Sequence, residues 1–416
     1  DSIGIQLHSP ATDVPLSHTM ISVARALKII DQNLYSLGTE RIDLKCAVGR
    51  ILAENIVADT DLPPFDRSQM DGYALRWRDT KNVPVDLKVV GESAAGNGWH
   101  KELKRGQAIR IMTGAPVPIG ADTVQKIELT KELEGVVSLI DPVPSGQYIV
   151  KKGKEIRKSD VVISQGTRIT PEMIATPAAF GYAQVKVARK PRVAIICTGT
   201  EIVDVNKKPR RDQIRDSNSM LLMSLCEQNG GDVQILAHVG DDLPKLRTSI
   251  EEAARIADIV ITTGGVSVGK YDLTKLAFSA IGAEILFDKI ALKPGKPAVF
   301  ATRKHKIFFG LPGNPVSAAV TFYLFVRRAM MLMQSAAKPS LERGFAVLNG
   351  PAKGTKLRDV YSPVRLATAA DGKLLAVPLP WLGSSDLVAF SNAEALVVIP
   401  KGTNLNAGDV ANVLFL

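Results

Sequence analysis

Three segments in the middle of this chain are glycine turns placed at the ends of apolar strands, and they restrict the fold more than any other feature. Val193–Cys197 leads into Thr198-Gly199-Thr200, Ile259–Thr262 leads into Gly264-Gly265, and the third turn is Gly310-Leu311-Pro312-Gly313-Asn314. Helical signals lie between them. Asp216-Ser217-Asn218 supply caps ahead of Met220, Leu221, Met223 and Leu225. A strand is expected over 232–239, a helix over 244–257 and a long helix after Pro315. Apolar strands alternating with helices imply a parallel sheet with right-handed crossovers. Ligands of such sheets bind beyond the carboxyl ends of the strands, which is where these turns sit.

The flanking segments have other periods. Thr19–Leu37 carries Val23, Ala26, Leu27, Ile30 and Leu34 at helical spacing and ends at Gly38. Residues 61–73 read as loop, punctuated by Pro63-Pro64, and 74–166 as short strands such as Leu87–Val90, Ala108–Met112 and Val136–Ile140. Pro171 opens a helix expected to run to Phe180. Beyond Ala337 the strands Phe345–Leu348, Val364–Ala369, Leu374–Val377, Leu396–Ile399 and Val410–Leu414 read as a small barrel or sandwich. At 416 residues the chain exceeds one core. The fold class is therefore α/β plus β, in several domains.

Composition removes several classes of function. The excess of 52 Lys and Arg over 42 Asp and Glu gives +10 and points to anionic ligands or a solvated basic surface. The basic runs Lys151-Lys152-Gly153-Lys154 and Lys207-Lys208-Pro209-Arg210-Arg211 are not interleaved with aromatics, which argues against nucleic acid. The 3 cysteines form no C-x-x-C pair and the 5 histidines are dispersed, so neither disulfides nor zinc is indicated and a reducing, cytoplasmic setting is expected. Cys197, inside an apolar run, reads as a buried thiol. Ala318–Met333 is interrupted by Arg327-Arg328 and reads as a packed helix, not a membrane span.

The glycine turns let a ligand approach backbone, and the helix starts after them offer free N–H groups to an anion. Neither G-K-[ST] nor G-x-G-x-x-G occurs at these turns, so a P-loop and a dinucleotide fingerprint are absent there. Leu292-Lys293-Pro294-Gly295-Lys296-Pro297 holds Lys293 and Lys296 on stiff backbone suited to fixing an oxyanion. Glu201, Asp241-Asp242 and Asp272 fall at strand ends, where carboxylates beside phosphate call for a cation such as Mg²⁺. One of Asp241 and Asp242 is expected to cap the following helix instead. The loop Pro64–Ala74 follows neither period, and either a structural role or delivery of Ser68 and Asp71 to a site fits it.

Taken in order, several of these segments resemble the molybdopterin molybdotransferase family, the bacterial molybdenum insertases and the related C-terminal domain of gephyrin. The resemblance lies in Phe65–Ala74, Arg110–Pro118 with Gly120-Ala121-Asp122, Thr198–Glu201, Asp216–Asn218, Gly264–Gly269 with Asp272, Lys293–Pro297 and Leu311–Ser317. It implies an elongated discontinuous dimerisation domain (1–60 and 165–188), an inserted β-rich domain (61–164), an α/β molybdopterin-binding domain (189–337) and a C-terminal β-barrel (338–416). It also implies a homodimer in which Asp71, Thr113 and Asp160 of one subunit act with the glycine turns of the other. The implied reaction converts adenylyl-molybdopterin and molybdate into molybdenum cofactor, AMP and water with Mg²⁺.

On this resemblance Gly264, Gly265, Ser267, Gly269, Pro312, Gly313, Asn314 and Ser317 cradle the ligand, and Lys293 and Lys296 hold molybdate or pyrophosphate. Arg365 and Ser384 are further candidates for that anion, and Glu201, Asp242 and Asp272 for the metal. Leu382 departs from the Gln-Gly-Ser turn usual before this serine, and Lys270 stands where an acidic residue is common. Expected partners are the molybdopterin adenylyltransferase and acceptor molybdoenzymes. Competing expectations are a dimeric scaffold that binds a partner peptide, an insertase for tungstate, and an α/β pyrophosphatase or sensor.

Overall fold

The computed structural model describes residues 20–265 and 272–416. Its centre is a six-stranded sheet in the order Asp232–Val239, Arg192–Thr198, Ile259–Thr263, Lys306–Leu311, Val299–Arg303, Glu284–Phe287. The first four strands are parallel, as the alternation with helices requires. Val299–Arg303 runs antiparallel to both neighbours, because the tight turn from Arg303 to Lys306 leaves no room for a crossover.

Arg192–Thr198 is apolar on both faces for a visible reason. Val193 and Ile195 pack with Leu222 and Leu225 of the helix Ser217–Gln228, while Ala194 and Ile196 pack with Leu246 and Ile250 of Leu243–Ile256. Burial of each of the larger side chains contributes about 1.5–3 kcal/mol. The apolar helix spans Pro315–Met333 with a π-helical turn at Phe322–Val326. It is long and apolar enough to cross a membrane, but 72% of its most apolar 18-residue window is buried in the protein, as expected for a packed helix.

The helix expected over 19–37 is Val23–Gln32, capped by Ser22 and closed by Asn33, whose Nδ2 donates to Ile29 O at 2.8 Å. It packs Val23, Ala26 and Ile30 into the α/β core, and Asp31 pairs with Arg328 at 2.7 Å. This helix thus belongs physically to the α/β body, although the chain then leaves it. Thr39–Asp43 pairs antiparallel with Gln184–Ala188, and Ile56–Val57 with Val161–Ile163, which makes a unit discontinuous in sequence. In place of one helix over 171–180 there is a 3₁₀ turn, Pro171–Met173, then Ala175–Ala179. Pro177 has no N–H for a bond back to residue 173, so it does not fit the interior of one long helix and lies instead in the first turn of Ala175–Ala179.

Between the halves of that unit lies a six-stranded sheet in the order Thr123–Lys126, Gly72–Leu75, Gln107–Ile111, Val85–Ser93, Val136–Leu139, Thr130–Leu133. The C-terminal strands close into a barrel, since Asp359–Thr368 pairs with both Leu374–Pro378 and Ala395–Ile399. Leu292–Lys293 adds to the start of Asp359–Thr368 in parallel. That pairing brings the lysine segment of the α/β domain against the barrel.

Candidate active site

The strand ends are tied together by glycine. Gly264 has φ +90°, and a Cβ on it would lie 2.4 Å from Thr198 O. A Cβ on Gly313 would approach Gly264 Cα to 3.4 Å, so the second and third turns nearly touch. Asn218 joins them, donating from Nδ2 to Thr263 Oγ1 at 2.9 Å and to Gly313 O at 2.7 Å. A carbonyl only accepts, so the amide orientation is set. Asn218 Oδ1 is then left buried without a protein partner.

Two clefts open on this edge. The first, of about 460 Å³, is lined by Gly199, Glu201, Asn218, Asp241, Gly264 and Gly265 together with Gly313. The second, of about 570 Å³, lies against the barrel and holds Lys293, Lys296, Ser317, Lys353, Arg358 and Ser384. Pro297, Pro312 and Asn314 line both, so one acidic and one basic compartment share a wall. Asn314 Nδ2 donates to Ser384 Oγ at 2.8 Å, and Val316 N to Ser384 O at 3.1 Å, which clamps the barrel to the helix start. Gly295, at φ +112°, allows the lysine turn to seat against Thr321, whose Cγ2 would be 2.6 Å from a Cβ.

The carboxylates divide into distinct roles. Asp241 accepts from Thr200 N and Oγ1, both at 3.2 Å, and faces the first cleft beside Glu201. Asp242, expected at the metal, instead caps its own helix, accepting from Lys245 N at 3.0 Å with Lys245 Nζ at 3.3 Å. The Lys245 backbone bond and charge hold its carboxyl below the usual range. Asp272 caps Leu273–Ala280 and pairs with Lys275 at 3.0 Å, and Lys275 also meets Asp288 at 3.0 Å. Burial keeps the Asp272 carboxyl above its ordinary value despite Lys275. Neither Asp242 nor Asp272 lines either cleft. Among the described residues no three His, Cys, Asp or Glu side chains stand close enough to hold a metal.

Other expected residues fall outside the clefts. Arg365 is exposed and lines neither; Val360 and Ser362 face the second cleft, and side chains alternate along a strand, so an odd position points away. Lys353 and Arg358, which the sequence reasoning missed, are there in its place. Their only signal is positive charge, some 60 residues from the lysines they join. In the sequence Asn218 stands as a cap residue and within the Asp216–Asn218 segment of the resemblance, with no site role of its own; its polarity on a buried helical face is the available clue.

Asp71 and Thr113 meet on the inserted sheet, where Asp71 Oδ1 accepts from Thr113 N at 2.6 Å and Oγ1 at 2.9 Å. These bonds, the backbone one foremost, lower the Asp71 pKa. Asp160 accepts from Arg157 N at 3.0 Å in the turn that leads into Val161–Ile163 of the discontinuous unit, and Ser68 is buried with its hydroxyl bonded to Met70 O. None of these four lines either cleft of its own chain. Ser267 and Gly269, with Lys270, lie outside the described residues. Cys197 lies at the bottom of the first cleft, but burial, with Asp216 next, pushes its thiol up to about 12, which leaves it protonated and unsuited to nucleophilic attack. Leu382 is 97% exposed at the rim of the second cleft.

Comparison with known proteins agrees along most of the chain. Residues 21–181 match the model of the MoeA N-terminal region (domain I and II), 194–332 that of a probable molybdopterin binding domain, and 346–416 the MoeA C-terminal region (domain IV). The molybdopterin molybdenumtransferase of Bacillus subtilis (strain 168) is 37% identical over 389 residues, covering 91% of this chain and 90% of the relative. That of Staphylococcus aureus (strain Mu50 / ATCC 700699) is 35% identical over 401 residues, 95% of each. The crystal structure of the molybdopterin biosynthesis moeA protein from Pyrococcus horikoshii OT3 superposes with a TM-score of 0.83 at 29% identity, over 96% of this chain and 100% of that one. A second structure of the moeA protein from that genus gives 0.79 at 32% identity, over 95% and 99%. With an acidic and a basic compartment sharing a wall and relatives matched over nine-tenths or more of their length, the chain belongs to the molybdopterin molybdenumtransferase family.

Proposed function

We propose that the chain inserts molybdenum into molybdopterin, taking adenylyl-molybdopterin and molybdate and giving molybdenum cofactor, AMP and water. The observation that carries this reading is the shared wall of Pro297, Pro312 and Asn314, which places a lysine-bearing compartment next to one lined by carboxylates and glycine backbone. A ligand with a phosphoanhydride at one end and an oxyanion acceptor at the other needs such a pair.

In this mechanism Gly264, Gly265 and Gly313 let the phosphate and pterin approach backbone closely, and Asn218 Oδ1 receives a ligand N–H that pays back its missing partner. Lys293 and Lys296, with Lys353, Arg358 and the Ser317 and Ser384 hydroxyls nearby, hold molybdate and balance its charge. Glu201 and Asp241 face the cleft and fit Mg²⁺, which takes one or two carboxylates plus phosphate oxygens and, when bound, neutralises the anhydride. Asp241 keeps its position through Thr200, and orientation of the reacting groups supplies much of the rate. Asp71, Thr113 and Asp160 line neither cleft of their own chain, and in the proposed working form, a homodimer, a second copy supplies them. Buried free thiols at Cys197 and Cys226 suit a reducing cytoplasm, with an adenylyltransferase upstream and acceptor molybdoenzymes downstream.

The test is molybdate dependence. Lys293→Ala and Lys296→Ala should each raise the molybdate concentration for half-maximal AMP release by about 10–100-fold, the equivalent of one charge-assisted bond, without changing the melting temperature. An unchanged molybdate requirement in both variants would remove the lysines from the reaction.

A further inference from the structure

On another side of the molecule, the discontinuous unit, the end of the long helix and the linker to the barrel enclose a crevice of about 500 Å³. Its floor is apolar, built from the buried side chains of Ile51, Met331 and Ala336 with Met173 beside them. Three cations line it: Arg168, Arg327 and Lys338. Glu342 is the one carboxylate in the lining, and no ion pair among the described residues joins it to any of the three.

Arg327 is the most informative of these. Its Nε donates to Asn229 Oδ1 at 2.9 Å and its Nη1 to Pro339 O at 2.9 Å, both neutral acceptors. Its Nη2 has no protein acceptor among the described residues, and no carboxylate neutralises the guanidinium there. Burial, and then the neighbouring charge of Arg168, depress its pKa. Arg168 is likewise held by a neutral group, Nη2 to Gln228 O at 2.6 Å. A half-buried guanidinium facing a second arginine without a counter-ion is an unfavourable arrangement that a bound anion relieves.

We infer that this crevice binds a small phosphate monoester with an apolar body, at a site separate from the insertion clefts. Three cations less one carboxylate leave two positive charges, which a dianionic phosphate matches. The free edge of Arg327 and the exposed Arg168 and Lys338 offer donors to the phosphate oxygens, while the apolar body lies on Ile51, Met173 and Met331. The volume is within the usual range for small-molecule sites. A ligand here touches the discontinuous unit, the helix end and residues 336–342 at once, and so fixes the barrel linker relative to the rest.

Calorimetric titration of the full chain with phenyl phosphate and with inorganic phosphate tests the inference. Phenyl phosphate should bind the unaltered protein and the Lys293→Ala/Lys296→Ala variant with equal affinity, at least about tenfold tighter than inorganic phosphate. In Arg168→Gln/Lys338→Gln, which changes only exposed side chains, its affinity should fall by about 30-fold or more while the melting temperature is kept. No binding at millimolar ligand, binding unchanged in Arg168→Gln/Lys338→Gln, or binding lost in Lys293→Ala/Lys296→Ala would each overturn it. The last result would place the phosphate in the insertion cleft and leave the insertase reading intact.

Discussion

Gly264→Ala is the substitution that most sharply loads the proposed site. Gly264 has φ +90°, outside the regions that L side chains adopt readily, and that backbone alone costs alanine about 1–3 kcal/mol. The added methyl would also stand 2.4 Å from Thr198 O and 2.8 Å from Thr198 Oγ1. Thr198 ends a strand paired on both sides, so it cannot retreat, and overpacking of this kind costs about 1–3 kcal/mol. The turn therefore has to move, which also separates Gly264 from Gly313 at the cleft. A loss of about 2–5 kcal/mol is expected in urea unfolding of the α/β domain, with AMP release reduced more than tenfold. Gly282→Ala is the control: it shares a positive φ of +74° but has nothing within 4 Å of the added methyl. It should cost only about 1 kcal/mol and leave activity unchanged. If Gly264→Ala matched Gly282→Ala in both stability and activity, the close approach to Thr198 would have no consequence and the cradle argument would fail.

Further expectations concern neighbouring groups. Asp241→Ala should abolish AMP release with the fold intact, while Asp242→Ala should cost about 1 kcal/mol through its lost cap and retain activity; the reverse pattern in assay and melt would contradict the roles assigned to them. Asp258 receives Arg192 N, Nε and Nη2 at 3.0, 3.2 and 3.0 Å. Burial raises its pKa, but the Arg192 bonds outweigh that and leave it below the ordinary value. Its stabilisation is thus present above the unfolded pKa of about 4 and is lost as pH falls through the folded one. Urea midpoints below pH 4 should therefore drop more steeply for the unaltered protein than for Asp258→Asn, and parallel slopes would refute the pairing. A thiol reagent at pH 8 should label one cysteine per native chain, the exposed Cys46, because burial raises the thiols of Cys197 and Cys226. Prompt labelling of three would contradict the burial.

The elements legible in the sequence are those set by local period and turn chemistry. Arg192–Thr198 is apolar on both faces because helices cover both, and Asp216 ahead of Ser217–Gln228 is a cap whose side chain accepts from Ser219 N at 2.9 Å. What was not legible depends on tertiary partners. Val299–Arg303 reads as any buried strand, and its antiparallel course follows from a turn of two residues. The helix Val23–Gln32 shows its apolar stripe but not the α/β core that covers it. Arg365 was one position out of phase with the cleft-facing Val360 and Ser362, a distinction that requires the register of the barrel. Asp241 and Asp242 are chemically identical neighbours, and only the start of the helix at Leu243 decides which one caps it. The sequence placed Lys293 and Lys296 on stiff backbone, but their companions Lys353 and Arg358 arrive through the pairing of Leu292–Lys293 with the barrel.

The central claim is tested most directly by incubating the purified chain with adenylyl-molybdopterin and Mg²⁺ and following AMP release with and without molybdate. The account predicts AMP release that depends on molybdate, accompanied by formation of molybdenum cofactor, and tungstate in place of molybdate then reports the metal preference. Adenylyl-molybdopterin that stays bound and uncleaved at saturating molybdate would contradict it and point to a binder or scaffold.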